Sequence, residues 1–468
     1  MDTIVLINDT LNGFVWGPVT IAAILLVGLF FTIVLKGVQF RNWGFLIKNT
    51  YVKALSKEGR QSKEGDGEIT SFQAAMASVS AVVGSGNIAG VATAIVCGGP
   101  GALFWMVVAA CFGMATKFAE IGLGIKYRVK KEDGTWVGGP MYYISEGLHA
   151  PWLGHLVAIF IIFYSFVVSG MVDTNSMVNA AQEIIPAVPA WVLGAIIAVL
   201  TAIVVFGGIT RIGEVCGLLS PFMAGAYLLC GILAIILNIG QVPGAIHDII
   251  VYAFDPQAAF GGAAGVGVLT AARYGFARGI YSNEAGVGAS AITHSSARVK
   301  TPGEQAIWGP LEVFVDTIVI CSITGITICL SGLWDSGKDG VALTMSAFSH
   351  CLPGNWGHIV VFVVELLFGF SCLITYYNYV EKSAFSIFGM WSRYVVRVLW
   401  LASIMSGATM ELSLVWDIAD TINGIIIYPN IIALIVMYKQ VIELKENYYN
   451  DHLPVYKEER ALKKSRKQ

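Results

Sequence analysis

Apolar runs long enough to cross a lipid bilayer recur along almost the whole chain. That repetition constrains the fold more than any other feature. A spanning helix needs about 20 mostly apolar residues. Eleven such segments can be drawn, near residues 14–35, 72–97, 100–125, 154–182, 191–209, 215–239, 262–293, 308–332, 357–381, 390–409 and 412–442. Charge agrees: Asp, Glu, Lys and Arg make up 13% of the 468 residues, against about 25% in an ordinary soluble domain. A soluble protein so poor in charge could not cover its surface. The expectation is an all-α polytopic membrane protein with eleven transmembrane helices. The first segment does not read as a cleaved signal, because its leader carries Asp2 and Asp9 and no basic residue.

Basic residues set the orientation of such a chain. With the N-terminus outside and eleven alternating spans, all but Lys338 of the 29 Lys and Arg residues fall on the cytoplasmic side. One helix more or fewer scrambles that asymmetry. Arg273 and Arg278 are its weak members, lying in or beside a span. Loop 36–71, with its run "SKEGRQSKEGDGE", and the charged tail from Lys445 both read as solvated cytoplasmic segments. The tail reads as a topology anchor, with contact to anionic lipid as the alternative. The expected location is the cell (inner or plasma) membrane, with the C-terminus inside. A net charge of −2 gives no sign of a nucleic-acid partner, and nothing implies an obligate protein partner. The eight cysteines form no CxxC pair and the seven histidines no HExxH, so neither a disulfide framework nor a transition-metal site is expected.

Two of the spans resist a continuous helix. The second reads "SFQAAMASVSAVVGSGNIAGVATAIVCGGPG", with Gly84-Ser85-Gly86-Asn87 at mid-membrane depth. The seventh reads "GVGVLTAARYGFARGIYSNEAGVGASAITH", with the same character over Gly279–Gly286. Backbone freed from helix inside a bilayer must be buried in protein or line a cavity. Broken helices in matching positions of two halves mark a transporter site. Each broken span opens a set of five. A set of five that starts inside ends outside, so the two sets are inverted. The expected organisation is an extra helix and basic loop (1–71), a first repeat (72–240), an inverted second repeat (241–444) and a charged tail (445–468). A small-residue packing face is the competing reading for Gly86 and Gly90, which fit GxxxG.

Acids within spans are costly and default to function or pairing. Glu120, Asp173, Asp316 and Glu365 lie inside spans, with Glu284, Asp417 and Asp420 inside or near one. An ion pair with Lys117, three residues away on one helical face, accounts for Glu120. Asp316 either faces the site or holds a broken helix. Asp173 stands with Thr174, Asn175, Ser176 and Asn179, a polar stretch where an acid would hold a substrate ammonium, a Na⁺ or a proton.

The motifs "VGSGNIAGVATAI", "GGPGALFWM", "GGPMYYI", "RGIYSNEAGVG" and "DTIVICSITG" resemble the alanine or glycine:cation symporter family, the sodium:alanine symporters. "DTLNGFVWGP" and "WDIADTINGIIIYPN" extend the resemblance over roughly residues 10–440. It implies the LeuT-like 5+5 inverted-repeat fold of the amino-acid–polyamine–organocation superfamily, preceded by one extra helix. By the same resemblance, N–H groups of Gly84, Ser85, Gly86 and Asn87 would hold a substrate carboxylate. Carbonyls of an unwound Gly279, Tyr281, Ser282 and Asn283 would take its ammonium. A Na⁺ site would use the carbonyls of Ser80 and Val83 with the side chains of Ser371 and Cys372. Three residues depart from the family pattern, which has Gln at Asp173, a hydroxyl at Cys372 and a bulky Trp at Tyr376.

The implied function is a secondary active symporter, not an enzyme, importing a small neutral amino acid of the alanine or glycine type with Na⁺ by alternating access. The alternative keeps the fold but changes specificity to a larger, amide or cationic amino acid, or couples to H⁺, through Asp173. A channel or membrane enzyme is remote: no selectivity-filter repeat and no catalytic cluster is present in the sequence. Loop 331–356 reads as a connector, with an outer lid as its alternative.

Overall fold

The computed structural model describes residues 2–56, 65–254 and 264–465. Part of the polar run expected in the first loop, the first residues of the seventh expected span and the Asp417 side chain lie outside the described residues. Six helices among those described are long and apolar enough to cross a membrane: Gly101–Lys126, Pro151–Ile184, Gly208–Leu237, Pro302–Ser331, Trp356–Phe388 and Ile418–Val436. A bent pair, Ser71–Val82 with Gly86–Gly98, makes a seventh. Two shorter apolar helices, Pro18–Val34 and Ala190–Val205, stand where the first and fifth spans were expected. Helices Ala264–Asn283 and Ser392–Thr409 occupy the seventh and tenth places but do not reach the same apolar character. Length and composition therefore account for seven crossings, not for eleven.

Burial separates the centre of the bundle from its rim. In the most apolar stretch of Gly101–Lys126, 67% of residues are buried, against 28% for Gly208–Leu237. The latter turns Leu218, Phe222 and Leu229 outward, as a lipid-facing helix does.

The first break has local causes. Thr70 caps the Ser71–Val82 helix: its hydroxyl accepts from Gln73 N at 3.1 Å, and Gln73 Oε1 accepts from Thr70 N at 3.0 Å. Val83 leaves helical geometry at ψ 88°, and the chain bends by 44° before Gly86–Gly98. The second break takes in only the end of the expected stretch Gly279–Gly286 and runs on beyond it. Ala264–Asn283 stays helical through Gly279, Tyr281, Ser282 and Asn283, and the chain unwinds only from Glu284. Glu284 (φ +56°), Gly286 (φ +101°) and Gly288 (φ +82°) all take left-handed conformations, which two glycines make cheap and the glutamate does not. Helix resumes at Ser290–His294.

The residues entering the first broken span pair with those leaving the second. Ile69–Thr70 lies parallel to Ala297–Arg298, with Ile69 opposite Ala297. The start of one and the end of the other therefore share a face, and the two broken spans run in opposite directions. A second small ladder on the chain, Val129–Lys130 against Trp136–Val137, is tied to the same region. Arg128 donates to the carbonyls of Asp66, Ser295 and Ala297 at 2.5–2.9 Å.

Segment 331–356 is more than a connector. It folds into the helix Gly340–Cys351, started by Asp339, whose carboxylate accepts from Gly340 N at 2.5 Å. Thr344 on that helix is buried and donates to the Ile88 carbonyl at 2.9 Å, just beyond the first break.

Candidate functional site

The two broken spans meet. A Cβ placed on Gly86 would sit 3.0 Å from the Tyr281 ring and 3.4 Å from Ser282 Cα. A side chain at this position would have to push the Tyr281 ring aside by a few tenths of an ångström. Asp316 ties the crossing together. Its carboxylate accepts from Asn87 Nδ2 at 2.6 Å, from Ser282 Oγ at 2.9 and 3.0 Å, and from Thr317 Oγ1 at 2.6 Å. Asn87 closes the break from its own side, its Oδ1 accepting from Gly84 N at 2.8 Å. Asn283 holds the other break: it accepts from Ala285 N at 2.9 Å and donates to Thr317 Oγ1 at 3.0 Å. Asp316 was expected either to face the site or to hold a broken helix by accepting backbone N–H bonds; it stands at the crossing and holds it through side-chain donors instead.

Three segments around this crossing wind as π-helix: Gly86–Gly90, Phe166–Asp173 and Phe314–Cys321. Such wide turns cost hydrogen-bond quality and concentrate at functional sites. Here they deliver Asn87, Asp173 and Asp316.

Asp173 faces the first break. Its Oδ1 lies 3.8 Å from where a Cβ of Gly84 would be, and Ser85, Ser169 and Cys372 surround it. Ser85 turns its hydroxyl to a second acid, donating to Glu365 Oε1 at 2.6 Å. Tyr281 donates to the Val168 carbonyl at 3.0 Å and packs on Trp416, ring centroids 4.8 Å apart. Trp416 in turn carries the Arg278 guanidinium 4.4 Å above its ring, and Arg278 pairs with Asp420. Asn175 does not join this group: its amide is spent on the Gly407 and Met410 carbonyls at 2.9 and 2.8 Å, finishing the Ser392–Thr409 helix.

The residues expected to hold a cation converge in part. Ser371 Oγ and Cys372 Sγ both donate to the Ser80 carbonyl at 3.2 Å, and Cys372 also reaches Ala81 O at 3.2 Å. Val83 is buried at the break itself. The oxygens of Ser80, Ala81 and Ser371 suit a hard cation; the thiol does not.

Glu284, at the second break, is buried under Tyr164, Tyr376 and Tyr379. Tyr379 donates to it at 3.2 Å, Ser290 at 2.6 Å and Tyr164 at 3.5 Å, and Tyr164 meets Tyr376 hydroxyl to hydroxyl at 3.3 Å. Lys117 approaches the same carboxylate at 3.9 Å and donates to the Asn283 carbonyl at 2.8 Å. The expected Lys117–Glu120 ion pair is therefore not formed. Glu120 instead accepts from Gly286 N at 2.9 Å and Asn430 Nδ2 at 2.7 Å. Spacing along one helix gave the pair, but the peptide groups freed by the second break drew each member across to it. Sequence reading also missed Tyr164, Tyr379 and Thr344 at this site, for which no motif or charge was a signal, and Trp416, which opens the motif "WDIADTINGIIIYPN" but was not drawn to the site. Glu365 carried a signal, as an acid in a span.

Residues 1–462 match a family model described as the sodium:alanine symporter family. The chain is 38% identical over 445 residues to the sodium/alanine symporter AgcS of Methanococcus maripaludis, covering 93% of this chain and 95% of that protein. It is 34% identical to a probable sodium/glutamine symporter, GlnT, of Bacillus subtilis, covering 93% and 89%. Among solved structures it is similar to MhsT in complex with L-phenylalanine, at 14% identity and a TM-score of 0.58, over 80% of this chain and 89% of that one. At that identity the likeness speaks for the fold, which is LeuT-like.

Proposed function

We propose that this chain, which belongs to the sodium:alanine symporter family, carries a small neutral amino acid across the membrane together with Na⁺ by alternating access. Membership makes it a multi-pass membrane transporter of the amino-acid/cation symport class, not an enzyme. One observation carries the finer reading: two interrupted helices of opposite direction touch at Gly86 and Ser282 in the buried centre of the bundle. Peptide groups released there supply N–H donors at one break and carbonyls at the other, which is what a zwitterion needs. Gly84, Ser85, Gly86 and Asn87 would take the carboxylate. The ammonium would go to the carbonyls of Tyr281 and Ser282 in the last turn of the helix, Gly279 lying a turn inside it and Asn283 O already accepting from Lys117, and Tyr376 would border the cavity. Na⁺ would bind between the carbonyls of Ser80 and Val83 and the side chains of Ser371 and Cys372, once these release their hydrogen bonds. The expected orientation, N-terminus outside and C-terminus cytoplasmic, is part of this proposal. Uptake of labelled alanine or glycine into proteoliposomes, with and without a Na⁺ gradient, tests it. No gradient-dependent uptake of either would overturn it.

A second reading rests on Asp173. A carboxylate facing Gly84 repels a second carboxylate that arrives at the same N–H groups. Substrate binding there calls for a cation or a proton beside Asp173. The alternatives are H⁺ coupling or a substrate whose side chain meets the acid, an amide or a cation. A relative described as a probable sodium/glutamine symporter supports the amide. Competition of labelled uptake by each amino acid, in Na⁺ and in choline at two pH values, separates these readings.

A further inference from the structure

The apolar helix Pro18–Val34 ends at a cavity of about 220 Å³ that plays no part in the crossing of the broken spans. Three cationic side chains line it: Lys36 and Arg41 from the turn after the helix, and Lys445 from the C-terminal helix Tyr438–Ser465. Glu446 is the one acid among the lining residues, and it pairs with Lys36 at 3.5 Å. Among the described residues neither Arg41 nor Lys445 forms an ion pair; Lys445 lies over the Tyr449 ring at 5.5 Å. Burial pushes the Lys445 pKa down, and Lys36 and Arg41 push it the same way while Glu446 opposes them. With three cations against one acid in its lining, the cluster carries positive charge that its own side chains leave unbalanced.

The backbone is built to keep these groups there. Lys36 (φ +56°) and Asn42 (φ +59°) are two of the chain's left-handed non-glycine residues, and both line the cavity. Lys36 holds the helix-ending position that glycine fills at lower cost. Gly37 follows at φ +66°, its N–H bonded to the Thr32 carbonyl at 2.7 Å. A lysine standing where glycine costs less points to its ammonium.

The surroundings say what kind of anion fits. The cavity opens where an apolar helix stops, and Ile33 and Phe40 beside it are 66% and 54% exposed. Val38 and Leu453 complete its wall. A guanidinium and two ammonium groups suit a phosphate, and the apolar flank suits acyl chains. We propose that this cavity binds the headgroup of an anionic phospholipid of the cytoplasmic leaflet, joining the first apolar helix to the C-terminal helix. Basic pockets of this kind at the inner membrane surface are suited to such headgroups.

Native mass spectrometry of the full chain, titrated with phosphatidylglycerol or phosphatidylcholine, tests the proposal, with thermal melting as a second readout. The expected result is one tightly held phosphatidylglycerol that raises the melting temperature, and no equivalent adduct with phosphatidylcholine. Lys36→Gln, Arg41→Gln and Lys445→Gln should each weaken that adduct roughly fivefold, and the triple variant should lose it. Glu446→Gln should tighten it. Lys36, Arg41 and Glu446 are exposed and Lys445 is half-buried, so the single variants remain readable if the triple variant fails to fold. Equal retention by parent and single variants overturns the proposal. So does equal binding of phosphatidylcholine. The same melting shift from millimolar inorganic phosphate would assign the pocket to a free anion and overturn it too.

Discussion

Asn87, at the first break, and Asp316, in the π-helical segment Phe314–Cys321, join side chain to side chain, Nδ2 to Oδ1 at 2.6 Å. Ser282, from the second broken span, gives its hydroxyl to the same carboxylate. One acid thus fixes how the two interrupted helices cross. Asp316→Asn keeps the volume but loses an acceptor that serves three donors. Each hydrogen bond to a charged group contributes about 1.5–3 kcal/mol, so uptake should fall by roughly tenfold or more, with a lower melting temperature. Asn87→Ala should do the same through the partner group. Uptake within twofold of the parent in both variants would show that the crossing does not depend on this link.

Gly86 is where the backbones touch, and a methyl group there meets Tyr281 and Ser282 Cα. Gly86→Ala should cost about 1–3 kcal/mol of stability by overpacking and abolish most uptake. Gly90 offers a control on the same stretch, because its added Cβ would find ordinary contact with Trp416 at 3.5 Å. Gly90→Ala should melt close to the parent. Melting curves of the two alanine variants in one detergent distinguish a site-specific close approach from a general intolerance of bulk.

Much of this was legible in the sequence, and the misses have particular causes. The first break was readable at Gly84–Asn87 because small polar residues stood at mid-membrane depth. The second, read over Gly279–Gly286, was right for Glu284–Gly286 and wrong for the residues before them. Gly279 looked like a helix breaker but is a packing glycine, its Cβ position 3.2 Å from Met106. Ser282 and Asn283 looked like unwound polar residues, but they stay helical and spend their side chains on Asp316 and Thr317. The glycine pair Gly286 and Gly288, with positive φ, marks the true break. Asn175 was drawn to the site by its neighbour Asp173, although two steps along the helix turn the two groups to different sides and different partners. Tertiary choices of this kind leave no local pattern.

Asp173 is the departure that bears most directly on selectivity. If its charge is what a cation or proton must answer before substrate binds, Asp173→Gln removes that requirement. The variant should show uptake less dependent on pH, and a substrate ranking shifted toward small neutral amino acids. The measurement is a competition series over amino acids at two pH values. An unchanged ranking with unchanged ion dependence would remove Asp173 from the coupling argument.

Cys372 places sulfur beside the Ser80 carbonyl where a hard cation prefers oxygen. Cys372→Ser should lower the Na⁺ concentration for half-maximal uptake on the order of a few-fold. Ser371→Ala, which deletes the neighbouring hydroxyl, should raise it. Parallel Na⁺ titrations of uptake decide the matter, and opposite signs in the two variants are the expected outcome. Matching Na⁺ curves for all three proteins would move the cation elsewhere.

Lys117 and Glu284 are both fully buried, and their charges are balanced at the end of an interrupted helix. The ammonium sits 2.8 Å from the Asn283 carbonyl, the last turn before the break, where the helix dipole is negative. Removing it leaves Glu284 buried with hydroxyl donors but no cation. Lys117→Met should therefore destabilise the fold by about 3–5 kcal/mol. Glu284→Gln should cost less, because Lys117 keeps two neutral acceptors, Asn283 O and Ser290 Oγ. The double variant should recover much of the loss, since both charges leave together. Melting temperatures of the three variants and the parent form the cycle. A Lys117→Met protein that melts like the parent, or a double variant no better than the worse single one, would mean that the two residues are not coupled across the break.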